Sequence, residues 1–276
     1  MKIDEMIDIG KLNQLAADNS HKYASGNPFP HIVLDNVFEP AALEEVLEEF
    51  PNGNREDWER FNNTNEKKLA CRDENVFGDT TKTFIHALNS APFLRVLEKL
   101  TGIANLIPDP ALIGGGLHQI LRGGMLRVHA DFNVHPTTAL DRRLNLLIYL
   151  NEDWNEEYGG HFELWNKSMT RSEVKILPLF NRMAIFSTTS DSYHGHPDPL
   201  TCPENRSRKS IALYYYTNGR PEAERQIGLE QHSTLFVSRN GKNEVQSENI
   251  QVMKMKGMLK KFMPPIFTDI IRKVRS

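Results

Sequence analysis

His129 and Asp131 stand two residues apart, so in an extended strand both side chains fall on one face and can reach a single ion. A third donor must arrive from elsewhere in the chain, and His194 stands just beyond an apolar run at 183–186. Two imidazoles and one carboxylate on one side of an ion form the facial arrangement that suits ferrous iron and leaves three coordination positions open. The His-x-Asp triplet alone is weak evidence, because a strand histidine beside an aspartate is usually a surface hydrogen-bonded pair. Weight comes from what lies downstream, where Arg206-Ser207-Arg208-Lys209-Ser210 leads into the apolar run 211–216. A guanidinium entering at the start of a strand can make two parallel hydrogen bonds to a carboxylate, which a lysine ammonium cannot match. Such a group would hold a dicarboxylate co-substrate. His196 competes with His194 as the distal ligand, and Arg206 competes with Arg208. Arg208 is the one that immediately precedes the apolar strand, with small residues at alternate positions Ser210 and Ala212.

The elements that must position these groups are short. Residues 1–25 read as a lead-in helix, 31–35 as a β-branched strand, and 39–50 as an amphipathic helix that stops before Pro51. The polar stretch 52–83, with Trp58, Phe61 and Phe77 as isolated aromatics, reads as a long loop that can fold over a site. Residues 84–101 read as one amphipathic helix carrying Phe93, Val96, Leu97 and Leu100 on one face. Runs of strand-like composition then recur at 117–121, 126–128, 144–150, 161–164, 183–186 and 211–216, the pacing of an antiparallel barrel or jelly roll. Asn145 falls within one of these runs, and its facing is open. His135 and His161 lie near the motif only in sequence. Residues 218–248 read as a polar excursion with one apolar patch, Leu235-Phe236-Val237.

The 276 residues suffice for one large domain with appendages, and 39% apolar content is adequate for a core. A net charge of −3 argues against a nucleic-acid binder. Only Cys71 and Cys202 are present, far apart and outside any Cys-x-x-Cys spacing, which fits a reducing, cytoplasmic setting. Neither a secretory leader nor an apolar membrane span is expected.

As a linked series, the segments PFPHIVLDNVFEP, LRVHADFN, RRLNLLIYLNEDWNEEYGGHFELW, FNRMAIFSTTSDSYHGHPDPL and RSRKSIALYYYT resemble the prolyl 4-hydroxylase-like branch of the 2-oxoglutarate/Fe(II)-dependent oxygenases. The resemblance covers roughly residues 28–216. It implies an α+β fold: a double-stranded β-helix, or distorted jelly roll, with flanking N-terminal helices and a C-terminal helical tail. The expected division is a lead-in at 1–25, the oxygenase domain at 26–220 and an extension at 221–276. Carried over, the resemblance puts the metal on His129, Asp131 and His194, since the family's distal histidine follows the strand and its short turn directly, and puts the distal carboxylate of 2-oxoglutarate on Arg208. The cofactors implied are Fe(II), 2-oxoglutarate and dioxygen, with ascorbate as a supporting reductant. Relatives often place a tyrosine about ten residues before the first metal histidine to help bind the co-substrate; here His118 or Gln119 stands in that region, and Tyr149 offers a hydroxyl from another strand. The implied reaction decarboxylates 2-oxoglutarate to succinate and hydroxylates an unactivated carbon, with a prolyl residue or proline-like amine as the favoured substrate. An intact Asp131 argues against halogenation, for which the family replaces this carboxylate. Another 2-oxoglutarate-driven oxidation of a small metabolite or glycan, or a non-catalytic binding module, are the alternatives.

The basic, apolar stretch 254–275 reads as a helix docked on the domain or on a second subunit, in preference to a helix lying on an anionic membrane surface. A peptide or small-molecule substrate is the partner expected.

Overall fold

In this computed structural model, which describes residues 2–226 and 229–245, the N-terminal turn α1 (Ile3–Met6) precedes helix α2 (Ile9–Ala24). Asp8 starts α2 by accepting the Lys11 amide at 2.9 Å, which satisfies one of the first amides that have no partner inside a helix. Strand β1 (His31–Asp35) and helix α3 (Pro40–Glu48) follow where the sequence places them.

Residues 52–83 are not the single loop expected. They contain the hairpin β2 (Glu59–Asn62) and β3 (Glu66–Cys71), and the first turns of α4 (Asp79–Leu88). Asn63 closes the hairpin, its side-chain oxygen accepting the amides of Asn65 and Glu66 at 2.8 and 3.0 Å, an Asx-type turn. The polar composition falls mainly on β2, and only Leu69, Ala70 and Cys71 bury an apolar run. Helix α4 is capped from outside: Glu49, at the end of α3, accepts the Thr80 and Thr81 amides at 3.0 and 2.7 Å and the Thr81 hydroxyl at 2.7 Å. Position 78 must be glycine for this, since a Cβ there would sit 2.1 Å from the Glu49 carboxyl carbon.

The one helix expected over 84–101 is two, α4 and α5 (Ala91–Thr101). A continuous helix would need an amide on Pro92 to reach the Leu88 carbonyl; proline has none, and its ring would strike that oxygen. The carbonyl instead accepts the Tyr215 hydroxyl at 3.0 Å, tying the break to the sheet.

The remaining strands are β4 (Ile107–Pro108), β5 (Gly116–Leu121), β6 (Met125–Ala130), β7 (Asp141–Tyr149), β8 (Phe162–Trp165), β9 (Ser172–Ile176), β10 (Arg182–Ser187), β11 (His194–His196), β12 (Ser207–Thr217) and β13 (Leu235–Phe236). The strands join antiparallel in the order β1-β10-β7-β12-β5-β3-β6-β11-β8-β9, with β2, β4 and β13 pairing off this path with β3, β12 and β6. Strand β3 pairs with both β5 and β6 and so links two halves, β1-β10-β7-β12-β5 and β6-β11-β8-β9. This is the double-stranded β-helix. Alternation along the first half sets its two faces. Leu144, Leu146 and Ile148 of β7 join Ile211, Leu213 and Tyr215 of β12 in the main core with the helices, and the opposite parity, Asn145 and Leu147 with Arg208, Ser210 and Tyr214, lines a cavity between the halves.

The chain ends described here are tied to this body. Helix α2 packs on α5 and β1, and Tyr23 shares a 2.7 Å hydrogen bond with Ser187. Strand β13, the apolar patch of the 218–248 stretch, pairs with β6. The stretch 254–275 and its expected helix lie outside the described residues. No helix among the described residues is long and apolar enough to cross a membrane.

Candidate metal and co-substrate site

His129 near the end of β6 lies directly across the ladder from His194 at the start of β11, so the two rings sit side by side with centroids 4.5 Å apart. His129 Nδ1 lies 2.8 Å from the Arg127 carbonyl, and His194 Nδ1 lies 2.8 Å from the Ser192 carbonyl. A carbonyl can only accept, so each Nδ1 carries the proton and each Nε2 keeps its lone pair. Both lone pairs converge on Asp131, whose Oδ1 is 3.5 Å from His129 Nε2 and whose Oδ2 is 3.2 Å from His194 Nε2. All three donor atoms lie within 4.8 Å of one another. Donors held about 2.1 Å from one ion at right angles stand about 3 Å apart, so the set fits a metal ion.

Asp131 is clamped from behind. Asn145 Nδ2 donates to its Oδ2 at 2.7 Å, and Arg142 Nη2 stands 3.2 Å from the same oxygen. Arg142 Nε in turn donates to Asn145 Oδ1 at 2.9 Å, which fixes the amide so that its NH2 faces the carboxylate. The Arg142 guanidinium is fully buried and lies 3.5 Å from the centroid of the Tyr214 ring. Burial alone would raise the Asp131 carboxyl, but the Arg142 charge beside it holds the group well below the usual carboxylate range. Burial also pushes the His129 imidazole down, and the neighbouring His194 adds to this. Carboxylate and neutral imidazoles are the forms that bind metal. Because Oδ2 is loaded with donors, Oδ1 is the freer oxygen for the ion, and ligation through one oxygen keeps the remaining positions open.

These donors open onto a cavity of about 220 Å³. Phe186 and Phe162 pack on the His194 ring at 4.7 and 5.5 Å between centroids, and Phe236 of β13 packs on His129 at 5.4 Å. Across from them sits Arg208, only 4% exposed. Its Nε donates to the Gly160 carbonyl at 2.9 Å and its Nη2 to the Tyr149 hydroxyl at 3.4 Å. Position 160 must be glycine, with φ +73° and a would-be Cβ only 3.0 Å from Arg208 Cδ. Among the described residues no carboxylate pairs with Arg208. Burying a cation without a counter-charge is expensive, so the geometry calls for an anionic ligand. A keto acid that chelates the ion at one end and meets Arg208 with a carboxylate at the other satisfies both ends.

The other residues weighed from sequence are distributed as follows. Arg206 turns away, its Nη1 donating to the Glu152 carbonyl at 2.8 Å. On β5, His118 and Ile120 line the cavity, whereas Gln119 lies on the opposite face and donates to Ser207 at 2.8 Å; it is not placed to touch the co-substrate. Tyr149 reaches the site through Arg208. His135 stands 3.4 Å from Asp109 and His161 2.6 Å from Glu156, both outside the cavity. Nothing in the sequence singles out Arg142, whereas the apolar residues at 144, 146 and 148 signal the parity of Asn145. His196 is buried in the cavity wall and outside the three-donor cluster.

Residues 115–216 match the family model of the 2OG-Fe(II) oxygenase superfamily. This stretch is a 2OG-Fe(II) oxygenase domain. It carries the triad, Arg142, Asn145, Tyr149, Gly160 and Arg208. Solved structures share the fold of this chain. A Pseudomonas putida prolyl-4-hydroxylase aligns at 13% identity and a TM-score of 0.53, over 74% of this chain and 100% of its own. A Trichoplax adhaerens prolyl hydroxylase, solved with a peptide fragment of the hypoxia inducible factor oxygen degradation domain, aligns at 18% identity and 0.55, over 79% and 96%. A Phytophthora capsici prolyl 4-hydroxylase aligns at 18% and 0.52, over 92% and 75%. No curated protein matches the sequence.

Proposed function

We propose that this protein is an Fe(II)- and 2-oxoglutarate-dependent dioxygenase that hydroxylates an unactivated carbon. The observation that carries the reading is the placement, in one cavity, of three converging metal donors and a buried guanidinium that has no carboxylate partner among the described residues. The bound iron and keto acid supply the oxidising chemistry, with decarboxylation to succinate; the protein supplies position and dryness. His129, Asp131 and His194 hold the ion on one face. Arg208, steadied by Tyr149 and Gly160, takes the distal carboxylate. Phe162, Phe186 and Phe236 keep water from the imidazoles. Asp131, as an intact carboxylate, supports hydroxylation over halogenation.

A prolyl residue or proline-like amine is the substrate proposed, on the strength of the prolyl 4-hydroxylase-like motifs. A second hollow of about 630 Å³ adjoins the metal cavity through Phe61, Gly114, Phe132 and Thr234, which gives a substrate larger than the co-substrate a way in. The oxygenase unit on this reading is residues 26–220, and its setting is the cytoplasm. The test is succinate formation from 2-oxoglutarate with Fe(II) supplied: the native protein turns the keto acid over and His129→Ala falls to background. Equal rates in both, or none in the native protein across a panel of prolyl peptides and proline analogues, would remove the reading.

A further inference from the structure

His196 follows the metal ligand His194 by two residues and is 3% exposed, yet among the described residues neither of its ring nitrogens has a hydrogen-bond partner. Such orphaned groups are rare in folded proteins and call for an explanation. The ring lines the same cavity as Arg208 and Lys68. The wall facing it continues the theme: Ser210 follows Arg208 on the cavity face of β12, and His118 of β5 pairs in register with Ser210. His118 Nε2 is orphaned too. Its other nitrogen, however, faces the Gly114 carbonyl, so in the neutral ring Nε2 is an acceptor and has nothing to offer a carboxylate. His196 has no such restriction, and either nitrogen can present an N–H.

A carboxylate carries about four lone-pair sites, and a guanidinium fork uses two of them. We propose that His196 is a co-substrate contact: its imidazole N–H takes an oxygen of the distal carboxylate that Arg208 anchors, so that this chain grips the keto acid with an Arg–His pair. The inference rests on the function proposed above. It also explains why a second histidine stands so close to the metal without ligating it.

Calorimetric titration of the Mn(II)-loaded full chain tests it, with 2-oxoglutarate and with oxalate, which keeps the chelating end and lacks the distal carboxylate. His196→Phe and His196→Leu weaken 2-oxoglutarate binding about tenfold or more, as expected for a hydrogen bond to a charged group, while oxalate and Mn(II) affinities stay within about twofold. His196→Gln, which keeps an N–H, restores most of the loss. Unchanged 2-oxoglutarate affinity in the apolar variants overturns the inference, and so does an equal loss for oxalate, which would place the ring at the metal end. A native protein that binds Mn(II) and oxalate but not 2-oxoglutarate overturns the parent reading, and this one with it.

Discussion

The two ends of the cavity are built differently. At the metal end nearly every polar group is answered by the protein: each Nδ1 by a carbonyl, Asp131 by Asn145 and Arg142. At the other end, among the described residues, Arg208 has no carboxylate partner and His196 no hydrogen-bond partner. The metal end is held in shape before any ion arrives, whereas the far end is left to be completed by a ligand. Mutations at the first should therefore act on folding and metal affinity, and mutations at the second on co-substrate affinity alone.

The largest effect expected is from Arg142→Met. It leaves the buried Asp131 charge without its cation, a change that typically destabilises by about 3–5 kcal/mol. Urea unfolding of the metal-free protein reads this, and part of the loss returns on adding Mn(II), because the ion supplies the missing positive charge. A loss below about 1 kcal/mol would mean the clamp contributes little and would erase half of the contrast. Next comes Asn145→Leu, expected to weaken Mn(II) binding by about 10–100-fold, the usual range for a group that orients a metal ligand. Metal titration measures it, and unchanged affinity would show that Arg142 alone suffices.

At the far end, Arg208→Lys keeps the charge and loses the planar fork. A loss on the order of 1.5–3 kcal/mol in 2-oxoglutarate binding is expected, with stability and Mn(II) affinity little changed; a parallel fall in Mn(II) affinity would contradict the division of labour. The smallest effect belongs to the scaffold. Glu49→Gln weakens the cap on α4 and destabilises by about 1 kcal/mol, leaving both ligand affinities alone. Burial acts to raise the Glu49 carboxyl, but the bonds from Thr81 and Thr80 outweigh it, so the folded group titrates below its ordinary value. Its contribution is thus complete above the unfolded value and disappears as pH falls through the lower, folded one. Melting temperatures of the two proteins should differ at neutral pH and converge in acid; a gap that widened in acid would reverse the sign.

Some of this was legible without coordinates. His129 and Asp131 share a face because strand side chains alternate, and Arg208 announces itself by preceding an apolar run with small alternate neighbours. Arg142 could not be read, because its role depends on β7 passing behind Asp131, a tertiary approach that leaves no local pattern. Gln119 and His118 were indistinguishable until the strand phase was known. The β2/β3 hairpin was hidden because a strand that buries only Leu69, Ala70 and Cys71 hardly alters a polar composition. Strand β11 is three residues long, too short for any periodicity, yet its pairing with β6 is what brings His194 to His129. The split between α4 and α5 was readable in principle, since Pro92 forbids a continuous helix.

One measurement bears most directly on the central claim that a metal ion and a guanidinium-anchored keto acid share this cavity. 2-Oxoglutarate is titrated into the native protein by calorimetry, with Mn(II) and again with the metal chelated away. Strong binding with metal and little without it, the metal-dependent part lost in His129→Ala, is the predicted result. Equal binding in the presence and absence of metal, or binding untouched by His129→Ala, would contradict the account.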